Sequence, residues 1–288
     1  PDFWYKEGPS MVQQIINGIL LGGVYALVGV GMSMIFGIVQ LTNLAHGEFV
    51  ILSAYLSTTL CTALGLHPLL TLIITVPLMF VVGIVLQNLL INRVMARGSE
   101  PALLVTFGLS IIIQNALLLV FSADAQRMVT SFQSMSINLG AIKLPVLNLL
   151  VFAIGVVVVV LLDVFMKKTY LGQSIRATSD DTTAASLMGV NVKRTYGIAM
   201  GIAMGTAALA GLCVGMPWTF YPTSGSQYLI IAFGVVVIGG MGSIKGTLIA
   251  GLVFGLAQVL GGTNYGMLVS YIVLLVMLIV RPQGLFSK

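Results

Sequence analysis

Long apolar runs follow one another along almost the whole chain, separated by short polar breaks. A bilayer core about 30 Å thick needs roughly 20 helical residues at 1.5 Å each, the length of most of these runs. Backbone groups in lipid must be satisfied within the structure, which leaves helices or a closed barrel. The runs are continuous rather than alternating, so the pattern predicts helices. Spans are expected near residues 12–40, 49–66, 69–92, 101–122, 145–165, 196–216, 228–240, 246–262 and 265–281. The seventh is short and the second and eighth are marginal, which gives eight or nine crossings. The expected fold class is all-α: a polytopic integral membrane protein with some broken or short helices, in one transmembrane domain over residues 1–288.

One stretch breaks the pattern. Residues 167–195, KKTYLGQSIRATSDDTTAASLMGVNVKRT, form a polar island with five of the chain's 13 basic and two of its eight acidic residues. Connections between packed spans are usually only a few residues long, so an island of this size points to a partner. After Thr169 and Gly172, the pattern predicts one amphipathic helix, capped by Gln173 or Ser174 and stopped by Gly189. Asp181, Ala185 and Gly189 fall four apart and leave a narrow bare face suited to a groove on another protein. Arg176 and Asp180 are also four apart, placed to pair with each other or with that partner.

Composition agrees with the span pattern. Mean hydropathy is +1.08, with 58% hydrophobic and 7% charged residues, inside the membrane range. Placing 167–195 in the cytosol puts Arg93, Arg97, Lys167, Lys168, Arg176, Lys193, Arg194, Lys245, Arg281 and Lys288 inside, against Lys6, Arg127 and Lys143 outside. This excess of inward positive charge predicts nine crossings, with the N-terminus outside and the C-terminus cytosolic. The net charge of +5 is spread over separate loops, so it reflects topology and gives no sign of nucleic-acid binding. Cys61 and Cys213 lie on apolar runs without metal or disulfide spacing. The opening PDFWYKEGPS lacks a signal-peptide layout, and Trp4 and Tyr5 suit a membrane interface.

Glycine recurs at helix-contact spacing: Gly18 with Gly22, Gly251 with Gly255, the run Gly197, Gly201 and Gly205, then Gly211 with Gly215. Small residues four apart let helix backbones approach closely in lipid. Two other places read as broken helices, NLAHGEF at 43–49 and GGMGSIKG at 239–246. Breaks at membrane depth often line transport pathways. Glu48 is then a candidate pathway group with His46 as partner. The other reading places both at the cytosolic end of the first span, capping the next helix. Tyr25, Asn43, Thr106, Gln114 and Asn115 are further pathway candidates, each equally able to form an interhelical hydrogen bond.

Much chemistry is missing. There is no HExxH or GxSxG, and GGMGSIKGT fails the phosphate-loop spacing, so no catalytic site or metal site is expected. Charged residues within the spans are too few for a typical ion-coupled carrier. No cofactor is expected on this chain, and any ATP must bind elsewhere.

Five motifs in order then carry a family resemblance: NGILLGGVYALVGVGMSMIFGIVQLTNLAHGEF at 17–49, TFGLSIIIQN at 106–115, GQSIRATSDDTTAASLMGV at 172–190, GGMGSIKGTLIAGLVFG at 239–255 and RPQGLF at 281–286. Over nearly its whole length the chain resembles the LivH-like permease subunits of ABC importers for branched-chain amino acids. It departs at Leu44, where phenylalanine is usual, and at Lys245, where proline is expected. The resemblance implies half of a pore in a bacterial inner membrane, paired with a second homologous permease. It also implies two ATP-binding subunits carrying ATP and Mg, and an extracytoplasmic substrate-binding protein. Thr169, Gly172, Arg176, Asp180, Asp181, Ala185 and Gly189 would form the coupling helix that docks on an ATPase. Related permeases also serve urea, amides and other small acids. A self-sufficient secondary transporter or channel built around Glu48 is the alternative; an intramembrane enzyme lacks its residues.

Overall fold

A computed structural model describes residues 10–286 except 96–97, 131, 134 and 140–141. Trp4, Tyr5, Lys6, Arg97 and Lys288 lie outside the described residues. Helix α1 (Met11–Val39) starts at Ser10, whose hydroxyl accepts from the Gln13 N–H, and ends on Gln40 in the left-handed conformation. It is apolar all round and buried on most of its length, the signature of a core helix. α2 (His46–Leu64), α3 (Pro68–Leu86), a π-turn at Gln87–Ile91, α4 (Asn92–Met95) and α5 (Ser99–Phe121) follow. A hairpin of β1 (Ser136–Leu139) and β2 (Ile142–Pro145) leads into α6 (Val146–Lys168). The short α7 (Tyr170–Asp180) and α8 (Thr182–Leu187) precede α9 (Val192–Gly215), α10 (Gly225–Gly239), α11 (Ile244–Leu260) and α12 (Gly262–Val280).

Eight helical stretches are long and apolar enough to cross a membrane, and α11 is a shorter apolar helix of 17 residues. The expected all-α polytopic fold is therefore present, with a hairpin that the pattern did not foresee. α1 and α9 each bury 83% of their most apolar window, against 11–28% for α3, α5, α6 and α12. The inner helices are thus ringed by helices that keep apolar side chains on the outside.

The glycine pairs meet one another. A Cβ on Gly22 would lie 2.6 Å from the Leu252 Cα, and one on Gly18 would lie 2.9 Å from the Leu256 Cα. Gly251 and Gly255 close the same seam from α11, against the backbone of α1. Gly201 takes Phe80 and Gly83 of α3, while Gly211 lies on the backbone of α2 at Val50 and Ala54. Tyr25 ties the α1–α11 seam with a 2.7 Å hydrogen bond to Gln258 Oε1.

Several expected boundaries shift. α2 begins at His46 rather than 49, so the His-Gly-Glu run is its first turn. α10 begins at Gly225 rather than 228. The single helix expected from Gln173 or Ser174 to Gly189 is two helices. Thr169 caps the first by accepting from the Gly172 N–H at 3.0 Å, so neither Gln173 nor Ser174 is the cap. Asp181 is extended and its Oδ1 accepts from the Thr183 and Ala184 N–H groups, starting the second. Asp and Thr side chains compete for backbone hydrogen bonds, so the DDTT run favours a cap over an unbroken helix. Gly189, at φ +87°, ends α8 in a Schellman turn, with Val190 N–H on Ala185 O and Gly189 N–H on Ser186 O.

Gly22→Ala forces α1 off α11, and Gly108→Ala meets nothing within 4 Å. The first is expected to cost about 1–3 kcal/mol through overpacking. The second is expected to gain up to about 1 kcal/mol of helix propensity. Unfolding of the purified chain in mixed detergent micelles measures both, and equal effects would remove the seam from the account of stability.

Candidate functional site

The segment 40–45 turns back along α1 instead of leaving the bundle. His46 Nε2 lies 2.9 Å from Val28 O, and a Cβ on Gly31 would lie 3.1 Å from the same imidazole. Val28 and Gly31 are 11 and 8 residues before Val39, so the chain has re-entered by about 12–16 Å. Non-helical backbone at such depth needs internal partners. Leu44 N–H donates to Thr106 Oγ1 at 3.3 Å, and Ala45 N–H to Asn43 Oδ1 at 3.1 Å. His46 N–H completes the turn on Asn43 O.

A second connection, 216–224, returns to the same place. Gly215 packs near Ala54, and Phe220 stacks edge-on against Tyr55, with ring centroids 5.0 Å apart. The chain then runs back to Gly225, which touches Gly47 and the Glu48 carboxylate so closely that a Cβ on either glycine would overlap its neighbour. Glu48 is 2% exposed, and its Oε2 has no hydrogen-bond partner among the described residues. Asn43 Nδ2 is likewise buried and unpartnered. A buried orphan of this kind calls for a specific explanation.

The structure thus brings Asn43, His46, Glu48 and Thr106 together, inside the bundle rather than at its end. Tyr25 belongs to the α1–α11 seam. Gln114 is half-buried on α5, and Asn115 beside it is exposed, its amide donating to Ile111 O at 2.8 Å. The reading in which His46 and Glu48 cap the next helix is corrected in its hydrogen bonding: Asn43 provides the turn, and neither His46 nor Glu48 caps α2. The Gly47–Gly225 crossing was not foreseen, because Gly225 stands in PTSGSQY, a stretch without contact spacing.

On the α7–α8 face, Gly172 lies on the backbone of Phe165 and Met166. Ser179 donates to Gly37 O at the end of α1. Ala185 is 4% exposed and packed inward while Asp181 and Gly189 are exposed, so the three do not form the single bare face expected of them. Arg176, Asp180 and Asp181 are exposed. Leu187 and Met188 are 83% and 85% exposed and stand out from this face as uncovered apolar side chains.

The profile of a family described as "Branched-chain amino acid transport system / permease component" matches residues 14–281. The chain belongs to this family. LivH of Escherichia coli (strain K12), a high-affinity branched-chain amino acid transport system permease protein, is 30% identical, with 96% of each chain covered. BraD of Pseudomonas aeruginosa, with the same description, is 29% identical, again with 96% of each chain covered. A probable branched-chain amino acid permease of Methanocaldococcus jannaschii is 24% identical over 95% of this chain and 92% of its own. The bundle is therefore a transport subunit of the ABC-permease kind, and the re-entrant segments sit inside a multi-pass permease fold.

Gly47→Ala is expected to cost about 3 kcal/mol by pushing α2 from α10, the upper range for overpacking. His46→Phe keeps the ring and loses one hydrogen bond, about 1 kcal/mol. Detergent unfolding midpoints check the order; the reverse order would mean that the imidazole, rather than the close crossing, holds the segment.

Proposed function

We propose that this chain is the permease subunit of an ATP-driven importer for branched-chain amino acids, with the α7–α8 face in the cytosol. Family membership supports the transport role. The observation that carries the coupling role is the α7–α8 element itself: two capped helices, packed inward through Gly172, Ser179 and Ala185, presenting Leu187 and Met188 bare. Large apolar side chains exposed on a polar face mark a docking surface. An ATP-binding subunit that carries ATP and Mg is the partner this reading places there, with Arg176, Asp180 and Asp181 at the rim of the contact. Two such subunits would serve a pair of permeases.

Charge supports the orientation. Among the described residues, Arg93, Lys167, Lys168, Arg176, Lys193, Arg194, Lys245 and Arg281 are on the α7–α8 side, and Arg127 and Lys143 on the hairpin side. Eight against two follows the positive-inside bias and puts the described start of α1 outside. The hairpin strands and the described residues of 122–135 then face an extracytoplasmic binding protein. Asn115 is exposed within a span among Leu104, Phe107, Ile111 and Ile112, also exposed. An amide there suits a second homologous permease better than lipid. Asn43, His46, Glu48 and Thr106 lie at the pathway's edge in this reading, with Glu48 and Asn43 Nδ2 finding partners in another state of the cycle.

Leu187→Asp with Met188→Asp leaves the bundle untouched, since both side chains are outside it. The expected result is at least tenfold less uptake in cells carrying the whole transporter, with ATP-binding subunits no longer co-purifying. Normal uptake with normal co-purification would overturn the docking assignment.

A further inference from the structure

We propose that a groove between α3, α7 and α9 binds the headgroup of an anionic phospholipid. The groove has a volume of about 600 Å³ and is lined by Phe80, Ile84, Asn88, Leu171, Asn191, Lys193, Arg194 and Ile198. Its two halves differ in chemistry. Phe80, Ile84 and Ile198 belong to spans and form an apolar wall. Lys193 and Arg194 stand at the end where α9 begins.

Those two cations are in the wrong place for α9 alone. Asn191 is the N-cap, so Lys193 and Arg194 occupy the second and third helical positions, and the first turn holds no acidic residue. The helix macrodipole makes that terminus positive, and both side chains add to it. None of the lining residues is acidic, and among the described residues neither side chain has an ion pair or hydrogen bond. A local conflict of this kind is expected where function compensates it. An anion between the two side chains would relieve both the like-charge repulsion and the unfavourable dipole.

The walls select the kind of anion. A small aqueous anion has no use for Phe80, Ile84 and Ile198, whereas acyl chains do. At the π-turn Gln87–Ile91, Asn88 lies against Gly197 of α9, where a Cβ would be 3.3 Å from the amide nitrogen. Basic pockets between spans on the cytoplasmic side suit anionic headgroups. Leu171 of α7 lines the groove, so a bound lipid would touch the helix that leads through Asp181 into α8 and its exposed Leu187–Met188 end. The side of the membrane rests on the proposed orientation; the binding itself does not require the transport reading.

The test is retention by the purified full-length chain in mild detergent, without ATPase subunits, read by native mass spectrometry. Phosphatidylglycerol and phosphatidylcholine with matched acyl chains are the probes, and inorganic phosphate is the competitor. Phosphatidylglycerol is expected to be retained preferentially. Each cation is expected to contribute about fivefold, so Lys193→Gln with Arg194→Gln should weaken it roughly 25-fold. Lys168→Gln with Lys245→Gln should leave it unchanged. Ile84→Trp fills the groove with the charges intact and should also lower retention, which covers a misfolded double variant. Equal retention of both lipids, or a preference that survives both groove variants, would overturn the site. Displacement by millimolar phosphate would overturn the lipid as its occupant.

Discussion

Inside a bilayer, apolar side chains gain nothing by leaving lipid for protein, so this bundle must cohere by close approach of backbones. α1 makes that approach in several directions at once. It is bare at Gly18 and Gly22 toward α11, at Gly23 toward Phe152 of α6, and at Gly29 toward Val235 of α10. Gly31 receives Thr206 and Ala203 of α9, and Gly37 lies 2.6 Å from the Gly242 Cα when given a Cβ. A helix this crowded serves as an axis, and its neighbours are located by it.

That axis explains how non-helical chain survives at depth. The 40–45 segment lies along α1 because Gly31 leaves space for the His46 ring, and its amides are consumed by Asn43 and Thr106. Three of the four polar residues gathered here are therefore occupied in holding backbone. Glu48 is the exception, confined between Gly47 and Gly225 with one oxygen unpartnered. A carboxyl group buried there without a hydrogen bond among the described residues is costly in its charged form.

Hydropathy made most of the helices legible because their apolar runs are long enough to be seen by length alone, and the glycine pairs were legible because a spacing of four is a helical contact spacing. Depth was not. Nothing in NLAHGEF tells a surface cap from a re-entrant turn, since both call for the same Asn-led turn chemistry, and only the position of Val28 decides. The island at 167–195 was legible as a helical element outside the spans, but its break at Asp181 and the inward turn of Ala185 depend on which side of each short helix finds the bundle. Small residues fit a docking groove or an internal seam equally well, and here the seam takes Gly172 and Ala185 and leaves Gly189 exposed.

In the proposed coupling role, the elbow at Asp181 matters mechanically. α7 is fixed to the end of α1 through Ser179 and Gly37 and to α6 through Gly172, while α8 is anchored through Ala185 beside α9. A load applied at Leu187 and Met188 would therefore not be absorbed in a flexible loop. It would reach α1 and α9 together, the two most buried helices, which flank the His46 turn. Since packed interfaces shift between discrete arrangements rather than deform continuously, such a load favours rearrangement where contacts are weakest. The Gly47–Gly225 crossing, held by contact and bordered by an unpartnered carboxylate, has fewer bonds to break than the α1–α11 seam with its Tyr25–Gln258 tie.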